Sequence, residues 1–382
     1  MPSEFMSSEE VTLLRKVDPS KSKSVLSRIR SYSKCSINRQ CFAAAVTSFF
    51  PTIAFLNNNY SLRAFSSDVI AGTTMGIFNV PQGMAYGILT GLSPVNGLYV
   101  SFYCPLIYFL FGVSRHLAVG TFAVICLLLS NTIVSMSEEH ELLQTRMLNH
   151  TRSLTENLNY RVEVSIALTF LAGIFQLVFG IFRLGFLLSY MPTPMLRGFT
   201  CACGFYVALS QLDAILGIRS ARAQGYGQFV KKLINFFSVI KEINLVTLSI
   251  SIGSIFFLVV SKELTLKLVD NLQLVIAGLI SYVGDLNQTQ GVKIIGVIPY
   301  GLPAPSVPNW GLFLELIPHA LQLGFLSYAI SSSITKHYAT EYHYPVNFNQ
   351  EWIAFGLMNV ICAPLNCFAG AGSLARTAIC VD

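Results

Sequence analysis

Three short stretches carry residues that an ordinary apolar helix would not. The first is Asn79-Val80-Pro81-Gln82-Gly83, set inside an apolar run from Val69 to Thr90. The second is Ala118-Val119-Gly120-Thr121-Phe122, which opens another apolar run. The third runs from Phe368 through Gly370, Ala371, Gly372 and Ser373 to Leu374, Ala375, Arg376, Thr377 and Ala378. Proline removes a backbone donor and glycine loosens a turn, so the first stretch predicts a broken helix with freed carbonyls near position 78. Gln82 beside that break points to a polar cavity, because freed backbone groups are tolerated in hydrocarbon only where protein or water satisfies them. In the third stretch, Ser373 is a favoured N-cap and the glycines admit a close backbone or ligand. A helix that begins part-way across a membrane aims unpaired N–H groups and partial positive charge at whatever lies before it. Arg376 adds a full charge that is costly in a membrane without a partner. The chemistry these groups suit is the binding of an anion, whose hydration shell they replace.

Other chemistries find no support in the sequence. It has no nucleophile–base constellation, no phosphate loop and no metal-ligand cluster. Nine cysteines are present, but Cys201 and Cys203 in C-x-C spacing have no histidine at ligand distance. The sequence therefore implies no enzyme and no cofactor. The net charge of +6 does not imply nucleic acid, since the basic residues lie in the tail and loops rather than on one face.

The elements that must position these residues are membrane helices. The chain is 53% hydrophobic and 12% charged, with a mean hydropathy of +0.58, whereas soluble domains carry roughly 25% charged residues. At about 20 residues per span, the apolar runs predict about nine or ten helices of an all-α polytopic membrane protein. Residues 1–62 form a basic tail with no signal-peptide pattern, which the positive-inside bias places in the cytosol. From there the expected spans are Val69–Thr90, Val95–Gly112, Leu117–Met136, Val164–Phe182, Met195–Leu216, Leu245–Val260, Leu272–Val283, Leu312–Ser332 and Trp352–Ala363. A final helix follows Ser373. Ser137 to Arg161 reads as a polar outer loop, and Gln224 to Ile240 as an amphipathic interfacial helix. Asn149 and Asn287 stand in glycosylation sequons that this topology places outside.

Several motifs, in order, resemble the sulfate permease (SulP) family of anion transporters. They are Asp68-Val69-Ile70-Ala71-Gly72, Val80-Pro81-Gln82-Gly83-Met84-Ala85-Tyr86 and Pro94-Val95-Asn96-Gly97-Leu98-Tyr99. Gly112-Val113-Ser114-Arg115-His116 and Gly120-Thr121-Phe122-Ala123-Val124 follow. The resemblance implies two inverted repeats, of which the chain holds the first seven-helix repeat and about three helices of the second. It implies two half-helices meeting at mid-membrane. It also implies a core (67–182 and 311–382) that moves past a gate (192–284). On that pattern residues 63–382 are an incomplete SulP-type transmembrane domain, and the family's C-terminal cytosolic STAS domain is absent.

The resemblance assigns the anion site to Gln82, Tyr86, Thr121, Phe122, Ala123, Ser373, Leu374, Ala375 and Arg376. Thr121 stands where many family members have proline, adding a hydroxyl, and Ala375 where several have serine, removing one, so the resemblance does not carry the family's selectivity over to this chain. On residue type alone, Gln82 equally suits a helix–helix hydrogen bond, Tyr86 and Phe122 suit aromatic packing, and Arg376 suits a snorkelling helix end. The implied function is secondary transport or exchange of sulfate, chloride, bicarbonate or similar anions by alternating access. The implied setting is the plasma membrane, with the lipid bilayer and a second copy as partners. The competing expectation is a truncated, non-transporting regulator of the same fold, or a voltage-responsive element.

Overall fold

The computed structural model describes residues 50–52, 60–148, 154–190, 228–239, 245–264 and 301–381, with Ile298 and scattered positions between 198 and 217. Helix α1 (Leu62–Leu89) starts at Ser61, whose hydroxyl accepts from the Ala64 N–H. It runs unbroken through Pro81. The expected break is therefore absent: the proline withdraws one donor from the ladder and the helix continues on either side. After a turn at Gly91 (φ +78°) comes α2 (Pro94–Phe111), with Pro94 in the first turn, where its missing N–H costs nothing. The two helices cross with their backbones nearly touching, since a Cβ on Gly97 would overlap the Gly83 carbonyl oxygen.

Beyond α2 the chain passes through an irregular segment into a two-residue strand, β1 (Val119–Gly120), and then α3 (Ala123–Leu148). Helix α4 (Leu154–Ile181) returns. Most of the expected outer loop is thus helical, because its Glu and Leu residues are good helix formers and prolong both helices past their apolar spans. An amphipathic helix, α5 (Gln228–Val239), lies where one was expected, and α6 (Leu245–Leu264) follows. Helix α7 (Phe313–Glu341) and α8 (Phe348–Cys362) lead to a second short strand, β2 (Ala371–Gly372), and to α9 (Leu374–Val381). Among the described residues, three stretches are long and apolar enough to cross a membrane, Pro94–Phe111, Glu156–Ile181 and Trp310–Glu341. The span expected at 272–283, Asn149 and Asn287 lie outside the described residues.

The core forms where α4, α7 and α8 pack together and α2 closes against α8. Small residues permit the α4–α8 approach: a Cβ on Gly356 would stand 2.7 Å from Leu177, and one on Gly173 2.8 Å from Val360. Trp352 of α8 is fully buried and stacks on Tyr328 of α7 at 3.4 Å between ring centres. Large apolar side chains are left exposed on most of the helices, Ile77, Val80, Phe102, Leu106 and Phe109 of α1 and α2 among them.

Candidate anion site

The two short strands bring the site together. They pair antiparallel, Val119 with Gly372 and Gly120 with Ala371. The pairing extends by one bond from the Ser373 N–H to the Ala118 carbonyl at 3.1 Å. In return the Ala118 N–H donates to the Thr377 hydroxyl at 3.1 Å. Each strand runs directly into a helix. The Phe122 carbonyl accepts the first bond of α3, from Cys126 at 2.9 Å, and the Ser373 carbonyl accepts the first bond of α9, from Thr377 at 2.9 Å. Phe122 and Ser373 are therefore the N-cap residues, and Ala123 and Leu374 the first helical residues. Two helix amino ends thus start from one antiparallel strand pair. The α3 helix begins at Ala123, later than the run from Leu117 suggested, because the chain spends Val119 and Gly120 on the strand.

Arg376 reaches back from α9 into this junction and is 1% exposed. One terminal nitrogen donates to the Thr121 carbonyl, and the other lies 3.5 Å from Asn79 Oδ1. Its Nε has no partner. The titratable groups around it are a phenol and thiols (Tyr86, Cys126, Cys104 and Cys380), and among the described residues no carboxylate forms an ion pair with it. Gln82 donates to the Tyr86 hydroxyl at 3.5 Å and leaves its Oε1 buried without a partner; the buried Thr121 hydroxyl is also unpartnered. Burying a charge or a polar group without a partner is expensive. Two of these groups are donors, the Thr121 hydroxyl at the β1–α3 junction and the Arg376 Nε–H on α9, and a bound anion would satisfy both; Gln82 Oε1 on α1 is an acceptor and calls instead for a donor. Gly120 (φ +152°) makes room for the guanidinium, since a Cβ there would stand 2.6 Å from Arg376 Nη1.

Among the expected site residues, the structure brings Gln82, Tyr86, Thr121 and Arg376 into one neighbourhood, with Phe122, Ala123 and Ser373 at the helix starts. Leu374 and Ala375 sit in the first turn of α9 with exposed side chains, so their contribution to the site is backbone N–H alone. Arg376 does not snorkel. Sequence reasoning missed two residues. Asn79 entered only as part of the expected break, although its spacing of three from Gln82 puts both on one face of α1. Thr377 gave no signal, because its hydroxyl matters only once β1 lies beside α9.

The segment that delivers β1 is anchored on its own side. Glu351 of α8, fully buried, accepts from the Tyr108 hydroxyl at 2.6 Å, the Val113 N–H at 3.3 Å and the Thr335 hydroxyl at 3.3 Å. Next to it, His116 stacks on Tyr342 with ring centres 4.4 Å apart, and its Nδ1 lies 3.2 Å from the Tyr344 hydroxyl. These contacts fix the residues between α2 and β1 to the α7–α8 connection.

Comparison with known proteins identifies the family and the fold. Residues 65–382 match the model of the sulfate permease family. The chain is 35% identical over 367 residues to prestin of Danio rerio, covering 92% of this chain and 49% of prestin. It is 32% identical over 373 residues to the human sulfate transporter (91% of this chain, 50% of the transporter) and 33% identical over 359 residues to human pendrin (90% and 46%). It thus spans about half the length of these curated relatives. The inward-facing structure of the murine Solute Carrier 26 family member A9 anion transporter superposes with a TM-score of 0.81 at 26% identity, over 97% of this chain and 59% of that one. The transmembrane domain of the cyanobacterial bicarbonate transporter BicA shares the fold, with a TM-score of 0.68 at 20% identity. A helical fold of membrane-spanning length, two short strands that join paired helix starts, and a family match over most of the sequence lead to one conclusion: the chain is an integral membrane protein and belongs to the sulfate permease family.

Proposed function

We propose that the chain carries the anion site of a secondary transporter or exchanger of sulfate, chloride, bicarbonate or a similar anion. The observation that carries this reading is Arg376: a fully buried guanidinium, placed where two helices begin, with no carboxylate partner among the described residues and an unpaired Nε. In a site of low dielectric, a cation held this way favours a mobile anion over an empty state. The N–H groups at the starts of α3 and α9 add partial positive charge, and Thr121, Tyr86 and Gln82 supply hydroxyl and amide donors. No single interaction needs to be strong, so the ion can be released on either side.

Alternating access follows if segments 67–182 and 311–382 move as one body past 192–284. The extensive helix packing among α1–α4, α7 and α8 supports the first of these as a rigid unit. Plasma-membrane residence, a cytosolic tail, glycosylation at Asn149 and Asn287, and pairing of two copies belong to the same reading.

The experiment is radiolabelled sulfate and chloride binding to the chain in lipid nanodiscs, wild type against Arg376→Gln. Removing a partner of a charged hydrogen bond costs about 1.5–3 kcal/mol, so affinity should fall roughly ten- to hundredfold. Equal binding by both proteins would refute the site.

A further inference from the structure

Beyond the strand pairing, two N–H groups at β2 are held by buried side chains from two helices, one of which is oriented by a third. The Gly372 N–H donates to the Ser331 hydroxyl of α7 at 2.8 Å, and the Gly370 N–H donates to Asn359 Oδ1 of α8 at 3.2 Å. Asn359 Nδ2 in turn donates to Gln176 Oε1 of α4 at 2.8 Å. Gln176 Nε2 donates to the Gly324 carbonyl at 2.9 Å and to the Ser327 hydroxyl at 2.8 Å. Gln176, Asn359 and Ser331 are all completely buried.

The polarity of this chain is fixed at both ends. A backbone carbonyl can only accept, so Gln176 must present nitrogen to Gly324 and oxygen to Asn359. Asn359 must then present nitrogen to Gln176 and oxygen to Gly370, whose N–H can only donate. Neither amide can turn over without breaking bonds at both of its ends. The strand has little room to find another partner: a Cβ on Gly370 would stand 2.9 Å from Cys104 Sγ and 3.1 Å from Met358 Cε. We propose that Asn359, its amide oriented by Gln176, is a positioning residue of the anion site. It sets the peptide plane at Gly370, and thereby the direction in which α9 presents its first N–H groups and Arg376. The proposal rests on the reading of the site given above.

The test measures hydrogen exchange by mass spectrometry over residues 367–378, together with radiolabelled sulfate and chloride affinity, on the chain in lipid nanodiscs. Asn359→Leu keeps the volume and deletes both hydrogen bonds. Asn359→Asp keeps the shape and the acceptor for Gly370 and, with its buried carboxyl neutral, an O–H that donates to Gln176 Oε1. Thr169→Val, a buried site on α4 with no bond to this network, is the control. The expected result is faster exchange at 367–373 and an anion affinity about five- to tenfold weaker in Asn359→Leu. Asn359→Asp should retain most of the protection, and the control should match wild type. Packing alone would favour Leu over Asp, so equal effects, or better protection in the Leu variant, overturn the proposal. Should Asn359→Leu fail to fold, Gln176→Met removes the acceptor that orients Asn359 and must also speed exchange at Gly370; unchanged exchange there overturns the proposal. A wild type that binds no anion while Asn359→Leu loosens the strand supports the positioning and refutes the anion reading.

Discussion

Alanine at Gly120 tests whether the strand pair exists to seat the guanidinium. Gly120 has φ +152°, a region that residues with a Cβ rarely adopt, and its missing Cβ faces Arg376 Nη1 at 2.6 Å. The backbone strain costs about 1–3 kcal/mol, offset by about 0.4–1 kcal/mol from a less flexible unfolded chain. To reach ordinary contact distance Nη1 must retreat by roughly 1 Å. Its bond to Asn79 is already at 3.5 Å and would be lost. A guanidinium displaced in this way no longer meets the ion squarely, and losing one charged hydrogen bond to it is worth about 1.5–3 kcal/mol, so anion affinity should fall roughly ten- to hundredfold. Gly91→Ala is the matched control. Gly91 also has a left-handed backbone (φ +78°), but its Cβ would meet only Val134, Arg161 and Ser130 at 3.7 to 3.9 Å. Both variants should lower the unfolding temperature in nanodiscs, and only Gly120→Ala should weaken sulfate or chloride binding. Equal affinity losses in the two variants, or none in Gly120→Ala, would refute the reasoning.

Three further outcomes are expected. Thr121→Val deletes a buried hydroxyl with no protein partner, so thermal stability should hold or rise while anion affinity drops several-fold, by about 1 kcal/mol. Gly97→Ala drives a methyl into the Gly83 carbonyl and should cost more than about 3 kcal/mol by separating α1 from α2, read as lost monodisperse protein after extraction. His116 is held below its ordinary pKa of 6.5, first by burial and then by Arg115, with Glu341 opposing. A group depressed on folding binds fewer protons folded than unfolded, so its contribution is complete above pH 6.5 and is lost as pH falls through the folded pKa. Unfolding temperature should therefore decline on acidification below pH 6.5, and His116→Asn should flatten that decline; an unchanged slope would contradict it.

Much of the fold was legible because membrane helices announce themselves locally. The apolar runs and the amphipathic stretch at Gln228–Val239 act within a few residues of where they stand. The second half-helix was legible for the same reason: small residues, then a serine, then a helix-competent run. Failures came where a local signal lost to its surroundings. Pro81 forecasts a break, yet one missing donor is cheaper than ending a 28-residue helix already paired with α2. The Ser137–Arg161 segment is polar, and polarity was taken for a loop where helix propensity decided. Thr377 and Asn359 were illegible in the sequence, because each acts on a residue more than 10 positions away across an interface that only the folded chain creates, whereas the spacing of Asn79 from Gln82 already put both on one face of α1. Arg376 could be picked out as an expensive charge, but its lack of a carboxylate partner became visible only with its neighbours in place.

The most direct measurement locates the ion itself. Crystals of the chain grown in lipid and soaked with bromide or selenate should show one anomalous peak within hydrogen-bonding reach of Arg376 Nε and the Thr121 hydroxyl, between the starts of α3 and α9. The peak should vanish in Arg376→Gln. No peak at that position in the wild type, or one that persists in Arg376→Gln, would contradict an anion held between two helix ends by a buried arginine.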